Sequence, residues 1–233
     1  MFKTYDNTKL LVSLHLPKTA GTTLQNALRT WFGDRLHDHY PGRPWPLTWT
    51  ELEHDACVHG HFTWRNGSSV EEYYPQAEQI IAIMRDPFDR LVSEWRFRNM
   101  IRLEGRPESD LADSPSFDTW FGRRADEVEL EPVTRVMMHM PYRLTPETVD
   151  TAFDRNFVAV GLSEEFLTTL RLFARALNKP VLPEERVNVT TFGDAEDYEP
   201  YRSRHEQVFH SDHELYAAAR RAFHQLKDIY DIR

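Results

Sequence analysis

Apolar residues along this chain fall into short continuous runs, separated by stretches in which they recur at helical spacing. Leu10 to Leu16 (LLVSLHL) is almost wholly apolar and ends at Pro17, the pattern of a strand buried on both faces of a parallel sheet. The small polar residues PKTAGTT follow, and then Leu24, Ala27, Leu28 and Trp31 mark one face of a helix. Further strands are predicted over Ala56 to His61 (ACVHGH), Gln79 to Met84 (QIIAIM) and Phe157 to Gly161 (FVAVG). After RDPFDR, the positions Phe88, Leu91, Val92 and Trp95 predict a helix of three to four turns, continuing toward Met100.

Capping signals place three more helices. Thr145-Pro146-Glu147 opens one that runs to about Arg155, and Ser163 caps another whose apolar face is Phe166, Leu167, Leu170, Phe173 and Leu177. Ser211 to Glu214 has capping-box spacing and opens a closing helix through Leu215, Ala218, Ala222 and Leu226. The Pro-, His- and Trp-rich segment Gly33 to Glu53 reads as irregular with at most a short helix, and Glu104 to Ser116 as a polar loop. Strands alternating with helices predict a three-layer α/β/α fold around a mainly parallel central sheet, with ligands at the carboxyl ends of the strands.

The 233 residues, with mean hydropathy −0.61, fit one domain over 1–233 with a real core. Lys+Arg 28 against Asp+Glu 37 gives net charge −9, which repels polyanions and argues against nucleic acid as a partner, so an anion site has to be local. Cys57 is the sole cysteine, so no intramolecular disulfide or cysteine-based zinc site forms and a reducing, cytoplasmic location is expected. No run approaches the length of a membrane span, so no membrane anchor is expected.

Three groups of residues carry candidate chemistry. Lys18-Thr19-Ala20-Gly21-Thr22-Thr23 lies where the first strand hands over to the first helix, so successive amides and the positive helix end face one small volume suited to a phosphate-like anion. Gly21 permits close approach, Thr22 and Thr23 add hydroxyls, and Lys18 adds charge; an ordinary turn and N-cap is the alternative. The loop is P-loop-like but departs from G-x-x-x-x-G-K-[ST], because its lysine precedes its glycine. In the second group, Arg85 leaves a strand, Pro87 opens a helix and Ser93 lies two turns on, an arrangement able to grip a dianionic phosphate; Arg85-Asp86 as a local ion pair or cap, and Arg90 on a solvated helix face, are the alternatives. The third, His59-Gly60-His61, puts two imidazoles on one strand face, with a base, a metal site including Cys57, or packed histidines as the open readings.

Leu14 to Leu24 (LHLPKTAGTTL) resembles the 5′-phosphosulfate loop of sulfotransferases that use 3′-phosphoadenosine 5′-phosphosulfate (PAPS), closest to the carbohydrate branch of the heparan sulfate 2-O-sulfotransferase type. Ile80 to Ser93 resembles that family's 3′-phosphate motif, and Val160 to Phe166 (VGLSEEF) a third family segment. The resemblance implies sulfuryl transfer from PAPS to a hydroxylated acceptor, a saccharide or another small molecule, releasing adenosine 3′,5′-bisphosphate (PAP) without a metal. It assigns Lys18 and the loop Thr19 to Thr23 to the phosphosulfate, Arg85 and Ser93 to the 3′-phosphate, His61 as catalytic base and His59 as its assistant. Arg186 to Thr191 is implied as a further nucleotide loop, and His15 stands where the family often has arginine. From charge alone, Arg96, Arg98, Arg102 and Arg106 can form a local basic lip near the site. Lacking an anchor, the chain resembles a soluble bacterial form. A metal-dependent hydrolase built on His59 and His61, and a nucleotide-binding module without catalysis, are the other function classes.

Overall fold

Leu11–Leu14 (β1) lies in the middle of a five-stranded sheet of a computed structural model that describes residues 2–40, 52, 55–63, 69–105, 116–130, 140, 148, 151, 153, 154, 156–183 and 196–232. With Leu36–His39 (β2), Cys57–Gly60 (β3), Gln79–Met84 (β4) and Phe157–Leu162 (β5), the order is β2-β3-β1-β4-β5 and every pairing is parallel. Every residue of β1, β3, β4 and β5 is buried, as continuous apolar runs require between two helical layers. The expected α/β/α class is the observed one. In detail β1 and β3 are shorter than predicted, because Leu10, His15, Leu16, Ala56 and His61 lie just outside the ladders.

β2 falls inside the segment predicted to be irregular. Its sequence, LHDH, has a single apolar residue, and three of its four residues are only half-buried at the sheet edge, so neither alternation nor an apolar run announces it. Its pairing with β3 decides the strand instead.

Helix α1 (Gly21–Phe32) buries Leu24, Ala27, Leu28 and Trp31 and ends at Gly33, whose φ of 56° suits glycine. A short α2 (Val70–Tyr73) carries an unpredicted capping box, in which Ser69 Oγ accepts from the Glu72 amide and Glu72 Oε2 from the Ser69 amide. Helix α3 (Pro87–Leu103) starts at the predicted proline, with Asp86 Oδ1 accepting from the Asp89 amide at 3.0 Å. Helices α4 (Phe117–Leu130), α5 (Phe166–Ala176), α6 (Arg202–Val208) and α7 (His210–Ile229) follow, with short 3-10 turns at Gly33–Arg35 and Glu199–Tyr201. The residues 148, 151, 153, 154 and 156 are helical, as predicted before β5, while the cap Thr145-Pro146-Glu147 lies outside the described residues.

Two predicted caps differ. The Ser163 amide donates to Met84 O at 2.8 Å, extending the β4–β5 pairing, so α5 begins two residues later than predicted, behind Glu165. Ser211 sits within α7, because the Phe209 carbonyl, at the break after α6, receives the Asp212 and His213 amides and starts the helix on backbone alone. Beside the sheet core, Phe88, Trp95, Phe117, Trp120 and Phe121 form a second aromatic core that joins α3 and α4 to Tyr198 and Phe209.

Gly60 closes β3 against β2, and a Cβ there would collide with the backbone carbonyl of His39, which has no rotamer by which to escape. Gly60→Ala is expected to cost about 1–3 kcal/mol. Thermal unfolding of both proteins measures it; an unchanged Tm would mean that β2 yields freely.

Candidate active site

The carboxyl end of β1 continues into a loop with two left-handed residues, Lys18 (φ 69°) and Ala20 (φ 64°). Ala20 is the N-cap of α1 and supplies no side-chain acceptor, so the positive end of a twelve-residue helix opens onto the turn. The Ala20 carbonyl itself takes the Thr23 and Leu24 amides. Thr19 is buried and its hydroxyl donates to Leu16 O at 2.8 Å; it therefore shapes the loop, and its amide is what it offers a ligand. Thr22 is exposed and Thr23 half-buried in the first turn. The Lys18 ammonium lies 4.2 Å from the centre of the Phe97 ring on α3. Burial holds the Lys18 pKa below the usual lysine value, and Arg85 adds to the effect while Glu94 opposes it. An anion entering the loop relieves that penalty.

Arg85, at the end of the neighbouring β4, donates from Nη1 to Lys18 O at 3.2 Å, so the two predicted anion motifs meet. Ser93 is half-exposed on α3, and no described residue bonds its hydroxyl. Arg90 does not lie on a solvated face: it is 5% exposed and pairs with Glu94 at 3.1 Å, while Glu94 also binds Arg98 at 3.0 Å. The predicted basic lip is partly matched by its own partners, since Arg102 donates to Asn99 and Arg96 lies over the Tyr198 ring; Arg106 and Arg186 to Thr191 fall outside the described residues.

Two further residues fix the start of α3: Glu164, from the VGLSEEF segment, and Arg202, which carried no local sequence signal. Glu164 Oε1 accepts from the Asp86 amide at 2.6 Å, drawing the VGLSEEF segment onto the RDP turn. Arg202, from α6, bridges Asp86 at 3.2 Å, Asp89 at 2.9 Å and Glu199 at 2.7 Å, with its guanidinium over the Phe88 ring. It lies 116 residues from Asp86 in sequence, and only the fold reveals the contact.

The histidines converge on His15. Its ring stacks on His59 at 5.2 Å and on His61 at 4.4 Å between centroids, as expected for same-face residues of adjacent parallel strands. His61 Nδ1 lies 2.6 Å from His15 O. A carbonyl only accepts, so Nδ1 carries the proton and Nε2 keeps its lone pair. His59 Nδ1 lies 2.9 Å from Ser13 Oγ, and burial pushes its pKa down to about 4. Burial likewise holds His61 below the usual histidine value, against the pull of the His15 carbonyl. Tyr40, just past β2, stands edge-on to the array with its hydroxyl 2.8 Å from His15 Nδ1, a residue the sequence reading passed over. Cys57 is fully buried in β3, and among the described residues no group of three or more His, Cys, Asp or Glu is placed to hold a metal ion.

The chain thus combines a glycine-containing loop at a helix N-terminus, an arginine tied to that loop and a histidine that donates from Nδ1, all at the carboxyl edge of a parallel sheet. Over residues 3–231 it matches the sulfotransferase family, and it belongs to that family. Among solved structures it is similar to mouse sulfotransferase SULT7A1 complexed with PAP, with TM-score 0.52 and 16% identity over 98% of this chain and 90% of that one; the likeness shows a shared fold. No curated protein matches significantly. Among the described residues no helix is long and apolar enough to cross a membrane.

Buried neutral histidines give the fold a defined acid sensitivity. His39 and His59 are held by burial at about 4 and His205 at about 3, against 6.5 when exposed. The unfolded chain takes up protons near pH 6.5 while the folded one resists, so stability is full above about 6.5 and falls as pH drops toward 4. Urea titrations at pH 7, 6 and 5 should show the midpoint falling steadily; a flat midpoint would place these imidazoles in water.

Proposed function

We propose that this chain moves a sulfuryl group from PAPS to a hydroxyl of a saccharide or other small acceptor, with His61 as general base. The observation that carries this reading is the 2.6 Å contact of His61 Nδ1 with His15 O, which puts the neutral ring's proton on Nδ1 and its lone pair on Nε2, next to the loop that leads into the N-terminus of α1. PAPS supplies the activated sulfuryl group. The loop fits the donor's phosphosulfate: two left-handed residues and an uncapped helix end point amides at one volume, and Gly21, backed by the His15 ring, leaves no room for a Cβ.

His61 Nε2 accepts the proton of the acceptor hydroxyl as the new S–O bond forms and the S–O bond to the leaving phosphate breaks. Lys18, with the amides of Thr19 to Thr22 and the Thr23 hydroxyl, stabilises charge on the phosphate and sulfuryl oxygens. Arg85, anchored on Lys18 O, and Ser93, two turns along α3 from its Asp86 cap, hold the 3′-phosphate. His59, buried and bonded to Ser13, supports the ring array from within as the assisting histidine. The chemistry of these residues needs no metal.

Four measurements test this. PAP should raise Tm well above the effect of AMP, because Arg85 and Ser93 read the 3′-phosphate; equal shifts would remove that assignment. Arg85→Ala should weaken PAP binding by roughly 2–4 kcal/mol. His61→Ala should lower turnover by roughly 10²- to 10⁴-fold with Tm and PAP affinity nearly kept; a folded variant with normal turnover would sink the base. Since His61 works only when neutral and its pKa is depressed, the acid limb of the kcat/KM profile should lie below pH 6.5.

A further inference from the structure

We infer that Arg202, on α6, is a positioning residue for the donor's 3′-phosphate: by holding the Asp86 carboxylate it keeps that group from pairing with Arg85 and leaves the Arg85 guanidinium to the phosphate. The inference rests on the sulfuryl-transfer reading above. Arg85 and Asp86 are adjacent in the chain, and a carboxylate beside an arginine competes with a phosphate for the same guanidinium fork. Left unmatched, Asp86 would also repel the incoming dianion. In the folded chain the two side chains part. Arg85 Nη1 donates to Lys18 O at 3.2 Å, on the loop after β1. Asp86 Oδ1 instead accepts from the Asp89 amide at 3.0 Å and from Arg202 Nη1 at 3.2 Å.

The guanidinium of Arg202 is held in one orientation. Besides Asp86, it donates from Nη2 to Asp89 Oδ1 at 2.9 Å and from Nε to Glu199 Oε1 at 2.7 Å, so each of its three nitrogens meets a carboxylate. Its plane lies 4.5 Å from the centre of the Phe88 ring, which is buried in the second aromatic core. A lysine ammonium has neither the fork nor the flat face for this arrangement. Asp86 is held from its other side as well, because its amide donates to Glu164 Oε1 at 2.6 Å. Fixing Asp86 at both amide and carboxylate fixes the peptide by which Arg85 enters α3, and with it the direction in which the Arg85 side chain leaves the backbone. Arg202 therefore acts on the phosphate through Arg85, its own nitrogens being committed to carboxylates.

The test is the ratio of AMP to PAP dissociation constants, measured by calorimetry, which reads the 3′-phosphate alone because the two nucleotides share everything else. Arg202→Met keeps an apolar stem on Phe88 and should lower the ratio about 5- to 50-fold, with AMP affinity kept within about twofold. Adding Asp86→Asn removes the competing charge but keeps a capping acceptor, and should bring the ratio back to within about threefold of the wild-type value. A merely structural Arg202 gives a different pattern: Tm and both affinities fall together, and Asp86→Asn restores nothing. If Arg202→Met does not fold, Arg202→Lys carries the same comparison with and without Asp86→Asn. An unchanged ratio, a parallel loss of both nucleotides, or a double variant as poor as the single one overturns the inference, while a wild-type preference for PAP leaves the donor reading standing. Equal binding of AMP and PAP by the wild-type protein overturns the donor assignment and this inference with it.

Discussion

The packing of the His15 imidazole directly on the backbone of Gly21 is the contact on which the site depends. A side chain at position 21 would occupy the space of that ring, so only glycine lets α1 begin this close to the end of β1. His15, through its carbonyl, holds His61 in the Nδ1–H tautomer, and through its own Nδ1 meets Tyr40. One residue thereby joins the loop after β1, the proposed base His61 and the Tyr40 ring.

Around this centre the sheet order does the positioning. With β1 between β3 and β4, the loop after β1 has the histidines of β3 on one side and Arg85 of β4 on the other. Arg85 reaches the Lys18 carbonyl, and the turn carrying it is held from two further directions, by Glu164 after β5 and by Arg202 from α6. Arg202 lies over Phe88, which belongs to the second aromatic core, so the C-terminal helices brace the donor side without contributing a ligand of their own.

That arrangement holds polar groups in costly places. His59 is fully buried with Nε2 lacking a hydrogen-bond partner among the described residues, and Arg90 Nε is in the same position. Each is stabilised at its other end, His59 by Ser13 and Arg90 by Glu94. Burial keeps the imidazoles neutral near neutral pH, which suits a base and accounts for the fold's acid sensitivity.

Much of this was legible in the residues themselves. LLVSLHL, QIIAIM and FVAVG are buried strands because nothing else accommodates apolar side chains on both faces over so short a run, and the lysine-glycine loop and the RDP turn announce themselves by local sequence. The edge strand LHDH does not, since its backbone pairing with β3, and not its own side chains, makes it a strand. Ser163 and Ser211 had the local form of caps, yet a ladder bond to Met84 and the Phe209 carbonyl satisfied those amides first. Arg90 sits beneath the surface because Glu94, four residues on, is buried with it. His15, Tyr40, Glu164 and Arg202 acquired their places only when strands and helices far apart in sequence came together. Local sequence determines what a segment is suited to form, whereas the partners of a side chain depend on distances between segments that no local pattern encodes.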